Sequence, residues 1–494
     1  MDKIRQILLR NQWNSTKIII FRFYSNPTKI PTLPSVSFEP QPYKGPSYND
    51  VLNSRNTNVS PFVRLLYKEP VMINQGYMQY VWDHTGKRYL DMFGGIVTVS
   101  VGHCHPKVTK AAVDQMHKLW HLTNIYLHPE LHDYAKKLTD RLPGDLKVCY
   151  FCNSGSEAND LAIQMARLHT GAFDVISLRN AYHGDTPYSV GLCGIGTWKH
   201  SFPHGFGIHQ VMNPDPYRGI WGGSSCRDSP VQPDRKCSCG VNQCKACDMY
   251  IAQLDELLSY SLPKKIAGFF AESIQGVGGT VQFPKNYLKK AYEIIRQHGG
   301  LCISDEVQTG FGRTGKFWGF LNHEVLPDIV TVAKGIGNGF PLAAVITRKD
   351  IADSLNDALV FNTYGGNPVA CAIGSAVLDV IDEEKLMENC HHVGTYLLHS
   401  LSKLRRKYTI VGDVRGKGLM IGVEMVADKE SKEPLPKPKM DAIFEYTKSM
   451  GLLVGRGGMS GNVFRIKPPM CISRADADFC VSCLEKAIEK YSPL

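Results

Sequence analysis

Asp328-Ile-Val-Thr-Val-Ala-Lys334 is a short, β-branched, largely apolar run that ends on a lysine. Gly335, Gly337 and Gly339 follow it. Such a run, apolar on both alternating faces, is the pattern of a strand covered on both sides. Four others resemble it: Val148-Cys-Tyr-Phe-Cys152, Val175-Ile-Ser-Leu178, Ile266-Ala-Gly-Phe-Phe-Ala271 and Leu301-Cys-Ile-Ser304. Helical patterns lie between them, as at Ser156 to His169 and Tyr287 to His298. The alternation predicts an α/β domain with a mainly parallel sheet flanked by helices. Ligands of such sheets sit outside the carboxyl ends of the strands, so the residues just after each run deserve the first look.

Working outward, Tyr77 to Asp83 and Lys87 to Asp91 read as a hairpin turning at Gly86. From about Ala376 the character changes. A long helical pattern precedes Ile410 to Glu424 and Asn462 to Pro468, which predicts a smaller α+β domain. The expected division is 1–38 presequence and linker, 39–90 N-terminal arm and part of the small domain, 91–375 large domain, and 376–494 C-terminal small domain.

The post-strand residues share a chemistry. Asn153-Ser-Gly-Ser156 places small residues before a helix, where free N–H groups and the helix dipole attract phosphate. The same residues also suit an ordinary serine N-cap. Tyr182 and His183, after the second run, can cover a planar ring or simply pack. Asp305 ends a buried strand, and a buried carboxylate needs a partner. A pyridinium N–H is such a partner, with Gln308 in reach of a ring oxygen. A metal-binding Asp305–Glu306 pair, or an ion pair with Arg313, is the alternative. Lys334 leaves a buried strand, where desolvation favours its neutral, nucleophilic amine. Such an amine forms a Schiff base with an aldehyde and can shuttle a substrate proton. Phosphate cup, ring cover, carboxylate and lysine, in this order at strand ends, together describe pyridoxal 5'-phosphate (PLP).

The 494 residues are 43% apolar and 21% charged, enough for a large core. The net charge of +10 is scattered among acids, without a basic stripe interleaved with aromatics. Nucleic-acid binding is therefore not expected. No apolar run is long enough to span a bilayer, so no membrane role is expected. The 15 cysteines do not form a secreted disulfide pattern. Cys226, Cys237, Cys239, Cys244 and Cys247 crowd one loop. Cys244-Lys-Ala-Cys247 has zinc spacing, with Cys237 and Cys239 as further thiolates. The preferred reading is a surface insertion with free thiols and no metal, with structural zinc the alternative. Before Ser37 the basic residues are Lys3, Arg5, Arg10, Lys17, Arg22 and Lys29, against one acid, Asp2. A basic, acid-poor, amphipathic start predicts a mitochondrial presequence and a matrix location.

At these residues the chain resembles the class III, or ω-, aminotransferases, PLP enzymes of fold type I. The resemblance runs from about Pro61 to the C-terminus. It is carried by Asn153-Ser-Gly-Ser-Glu-Ala-Asn159, Asp305-Glu-Val-Gln-Thr-Gly-Phe-Gly-Arg313, Ala333-Lys-Gly-Ile-Gly-Asn-Gly339 and Asn362-Thr-Tyr-Gly-Gly-Asn-Pro368. It implies a ping-pong transaminase with Gly155 and Ser156 on the phosphate, Tyr182 on the ring beside His183, and Glu272 in the cofactor pocket. Asp305 would hold the ring nitrogen, Gln308 the phenolic oxygen, and Lys334 the Schiff base. Thr363 would reach the phosphate of a neighbouring subunit, making a homodimer or homotetramer with sites at the subunit interface. Arg465 would hold the substrate carboxylate, or else be an ordinary strand arginine in an ion pair.

Met92 to Pro106, Cys226 to Gln232 and Gly451 to Gly457 resemble the branch that uses alanine, glyoxylate, 3-aminoisobutyrate and pyruvate. Ser273 departs from the proline common in the family, which bears on loop stiffness. Val277 stands where ornithine-type members carry a glutamate that masks the arginine, so Arg465 is expected to stay open to α-carboxylates. Another PLP reaction on this scaffold, such as decarboxylation or amino-group migration, remains open, as does a non-catalytic scaffold.

Overall fold

The computed structural model describes residues 30–492 apart from 202 and 241–243. The expected presequence lies, up to residue 29, outside the described residues. The strands are β1 (Ile73–Tyr77), β2 (Tyr80–Asp83), β3 (Arg88–Asp91), β4 (Val148–Cys152), β5 (Val175–Leu178), β6 (Ile208–Val211), β7 (Gly268–Glu272), β8 (Leu301–Asp305), β9 (Ile329–Val332), β10 (Ala343–Thr347), β11 (Val411–Lys417), β12 (Met420–Met425), β13 (Leu452–Leu453), β14 (Gly455–Gly457) and β15 (Val463–Ile466).

The 7-stranded sheet has the order β4-β10-β9-β8-β7-β5-β6. Strands β5 to β9 pair parallel. Strand β10 runs antiparallel to both β4 and β9. Neighbouring side chains on a strand point to opposite faces, and the packing shows it. Phe269 and Cys302 join the buried cluster under the helices Lys245–Tyr260 and Tyr287–Gln297. Phe270 and Ile303, one residue on, join the cluster under the helix Gly155–Thr170. Helices therefore cover both faces, and every residue of β7, β8 and β9 is buried. Each fully buried Phe or Ile adds about 1.5–3 kcal/mol relative to exposure.

The helix Gly155–Thr170 starts where it does because Ser154 and Glu157 form a reciprocal capping box. It stops at Gly171, in the left-handed region at φ 64°.

Two smaller sheets complete the fold. One, β11-β12-β15-β14, is antiparallel. The other, β1-β2-β3-β13, joins residues far apart in sequence, β13 lying parallel to β3. The expected hairpin forms between β2 and β3, with Gly86 at φ 84°. Its first arm is shorter than read. Met78, at φ 53°, breaks it, and Tyr77 belongs to β1, paired with Tyr80. Among the described residues no helix is long and apolar enough to cross a membrane.

Candidate active site

Lys334 leaves the end of β9 with its backbone in the left-handed region, φ 53°. One pocket is lined by Lys334 together with Asp305, Glu272, Gln308, Tyr182 and His183. Gly155, Ser156 and Asn159 line it from the first turn of the helix that follows β4. These residues come from the ends of β4, β5, β7, β8 and β9, as the carboxyl-end rule requires.

Asp305 is 4% exposed. Its Oδ2 accepts from His183 Nδ1 at 2.7 Å and from Asn159 Nδ2 at 3.0 Å, and its Oδ1 accepts from the Val307 N–H at 3.0 Å. Burial alone would raise its carboxyl. The hydrogen bond and charge of His183, then Val307 and Asn159, outweigh that and hold it below the ordinary value. Glu272 is buried beside it and goes the other way. Burial pushes it up, although it accepts from the Tyr182 N–H at 3.2 Å and the Gly276 N–H at 2.6 Å.

Burial also lowers the Lys334 amine below its ordinary value, against Asp305 and Glu272, which raise it, and with Arg465, which lowers it further. Arg465 on β15 is buried, which draws its guanidinium down to about 10. Its Nη2 donates to Gln308 Oε1 at 3.2 Å, and its Nε has no partner. Among the described residues no carboxylate forms an ion pair with it, so the ordinary ion-pair reading of Arg465 falls away. The neighbouring backbone of Val277 brings no side-chain acid, and a Cβ on Gly457 would meet both Arg465 Cδ and Val277 O.

The alternative pairing of Asp305–Glu306 with Arg313 does not form. Arg313 donates to the carbonyls of Leu419 and Pro468. Glu306 is satisfied by Ser273 Oγ at 2.6 Å, Thr309 Oγ1 at 2.8 Å and the N–H groups of Gly319 and Phe320. Ser273 thus anchors a buried carboxylate through its hydroxyl, a role beyond the loop stiffness expected of that position. Thr363 is exposed and does not line the pocket.

Residues 66–488 match the family Aminotransferase class-III. The chain belongs to the class III aminotransferases. A human protein named alanine–glyoxylate aminotransferase 2, mitochondrial, is 56% identical over 463 residues, covering 93% of this chain and 90% of that one. An aminotransferase structure from Bacillus anthracis is 32% identical with a TM-score of 0.81, covering 90% of this chain and 98% of its own. A PLP-bound amine transaminase from an uncultivated Pseudomonas species is also 32% identical, TM-score 0.78, with 88% and 97% covered.

In this class III chain, sequence reasoning missed two pocket-side residues. Asn159 lies one helical turn after Gly155 and holds Asp305. Lys467, fully buried, donates to Gln308 Oε1 at 3.1 Å. Its signal was present: it follows Arg465 by two residues on an extended run, so the two share a face.

Proposed function

We propose that this aminotransferase is a PLP enzyme of the mitochondrial matrix. It moves an amino group from L-alanine, or a short β-amino acid such as 3-aminoisobutyrate, to glyoxylate or pyruvate by a ping-pong mechanism. The observation that carries the reading is the meeting of Lys334, Asp305 and the Gly155–Ser156 turn in one pocket. The matrix assignment is supported by the basic N-terminal segment and by the mitochondrial name of the human relative.

The pocket residues fit the cofactor. Asp305 is fixed and held ionised, which suits a protonated ring nitrogen. The Gly155 and Ser156 amides open a 16-residue helix, which suits a phosphate. The approach is close: Gly184 sits at φ 129°, and a Cβ there would come within 2.4 Å of Ser156 Oγ. Tyr182 lines the pocket as a ring cover, and Gln308 faces the same space from the Arg465 side.

When bound, the cofactor draws electrons from the substrate's reacting carbon. The side chains do the rest. Lys334 would hold the cofactor's aldehyde until the substrate's amino group displaces it, and its freed amine, of lowered pKa, would carry the proton from the substrate carbon. His183 and Asn159 keep the Asp305 carboxylate in one orientation. Arg465, in no ion pair with a carboxylate among the described residues, presents a planar donor pair to the substrate's carboxylate. Burial of Asp305, Glu272 and Arg465 keeps water from competing for these charges.

We further assign residues 39–90 and 376–494 to the small domain and 91–375 to the large one. Thr363 serves the partner subunit of a homodimer. Exposed apolar side chains in the two segments whose His121 and Tyr364 rings lie 5.6 Å apart, Leu127 at 89% and Phe361 at 62% exposed among them, support an interface here. The test of the function is a half-reaction screen of amino donors read by cofactor absorbance. Alanine and 3-aminoisobutyrate should convert the cofactor. Turnover that persists in Lys334→Ala, or carbon dioxide release without a keto-acid requirement, would overturn the reading.

A further inference from the structure

The cysteine-rich loop forms a constellation that the transamination site does not use. The Sγ atoms of Cys226, Cys239 and Cys244 all lie within 4.8 Å of one another. Cys237 stands beside them, its Sγ accepting from the Cys239 N–H at 3.3 Å. Three sulfurs therefore cluster mutually, with a fourth alongside. Four thiolates around zinc at about 2.3 Å would stand about 3.8 Å apart, since the edge of a tetrahedron is some 1.6 times its radius. A disulfide accounts for a pair of thiols, drawn to about 2 Å. It gives no reason for three to gather in one place.

Backbone amides also point at the sulfurs. The Cys239 N–H donates to Cys237 Sγ at 3.3 Å, and the Lys245 N–H donates to Cys239 Sγ at 3.3 Å. Cys244 is the N-cap of the helix Lys245–Tyr260, whose positive end favours a thiolate there. Donors of this kind stabilise thiolate rather than thiol and orient it toward a cation. Lys285 lines the same cavity as Cys239 and Cys244 and would offset part of a tetrathiolate's negative charge, while Lys417, also there, pairs with Asp228.

We propose that Cys226, Cys237, Cys239 and Cys244 bind one structural zinc ion. The ligand set differs from the one the spacing implies. Cys247, the second member of Cys244-x-x-Cys247, turns into the helix and packs in the apolar cluster with Tyr250 and Tyr287. Cys226, eleven positions before Cys237 in the chain, takes its place. Zinc suits four soft thiolates in a closed tetrahedral site.

The site would clamp a loop that crosses between sheets. Arg227, next to Cys226, reaches Asp413 on β11 with two hydrogen bonds, at 2.8 and 2.9 Å. Ser229 Oγ donates to the Gly416 carbonyl of the same strand at 3.0 Å. Holding Cys226 in place holds these contacts in place.

The test uses the full chain with its cofactor, expressed and purified without chelator and under reductant. Elemental analysis should find about one zinc per chain. Cobalt(II) added after mild chelator treatment should give the visible bands of tetrahedral thiolate coordination, with the cofactor absorbance as a check that the fold persists. Cys239→Ser and Cys244→Ser should lose the metal, whereas Cys247→Ser should keep it. Cys247→Ser losing the metal as readily, iron in place of zinc, intact disulfides by mass, or no cobalt bands at stoichiometric cobalt in the reduced chain would each overturn the proposal.

Discussion

His183 Nδ1 and Asp305 Oδ2 lie 2.7 Å apart, both side chains out of contact with water. An ionised carboxylate only accepts, so Nδ1 carries the hydrogen and the imidazole acts as a clamp. Replacing Asp305 with Asn should cut kcat by about 10²- to 10⁴-fold, the usual range for a group that tunes proton transfer. His183→Ala should cost less in kcat and more in cofactor retention. Steady-state rates and the cofactor-to-protein absorbance ratio after gel filtration check both.

Burial lowers the Lys334 amine, so its neutral form persists to lower pH than that of an ordinary lysine. Capture of PLP by the apo chain should therefore rise with pH on a curve displaced to the acid side of a surface lysine's. Stopped-flow absorbance across pH reads this. A curve that rises only near the ordinary lysine value would show that the field of Asp305 and Glu272 outweighs burial.

Arg465 has no carboxylate ion-pair partner among the described residues, so its loss should fall on the substrate. Arg465→Ala should lower kcat/KM for alanine and glyoxylate by about 30- to 5,000-fold, the range that 2–5 kcal/mol for a truncated, buried charge contact implies. Arg465→Lys should recover only part, because an ammonium lacks the planar pair of donors. Cofactor absorbance should stay near normal in both.

Asp413 is buried between Arg227 and Arg415, which hold its carboxyl far below the usual range despite burial. A depressed carboxyl contributes stability that is present above its unfolded pKa, near 4, and lost as pH falls through its folded value. Asp413→Asn should therefore flatten the fall of stability with pH on the acid side, in denaturant melts from neutral pH downward. Arg227→Ala should cost about 1.5–3 kcal/mol, the range for hydrogen bonds to a charged group, because Asp413 keeps Arg415 and Arg405.

If Thr363 serves the neighbouring subunit, Thr363→Ala and Lys334→Ala should complement each other. Mixed dimers contain one site with its own Lys334 and the partner chain's intact threonine. Random reassembly of equal amounts should recover up to about a quarter of normal activity. Recovery no greater than the Thr363→Ala chain alone shows would refute a shared site.

The strand ends were legible because β5, β7, β8 and β9 are buried on both faces, and such runs stand out whatever their context. The edges of the argument were less legible. Strand β10 went unread, and nothing in Ala343–Thr347 reveals that it runs antiparallel. Lys467 was not singled out, because its burial depends on how β15 packs against the rest of the fold. Cys226 and Cys247 exchanged places because local spacing cannot see a residue that returns from across the loop. Thr363 cannot be placed within one chain, since its expected phosphate belongs to another. In each case the missing information is long-range pairing, which sequence pattern carries only faintly.

The left-handed backbone at Lys334 carries a thermodynamic tension. A residue with a Cβ costs roughly 1 kcal/mol or more in that region, whereas glycine adopts it freely. The apo fold would thus be content with glycine at the one position where the chemistry demands a long amine. Lys334→Gly should melt above Lys334→Ala even though both are inert, because at this position the requirements of folding and of turnover pull the chain in opposite directions.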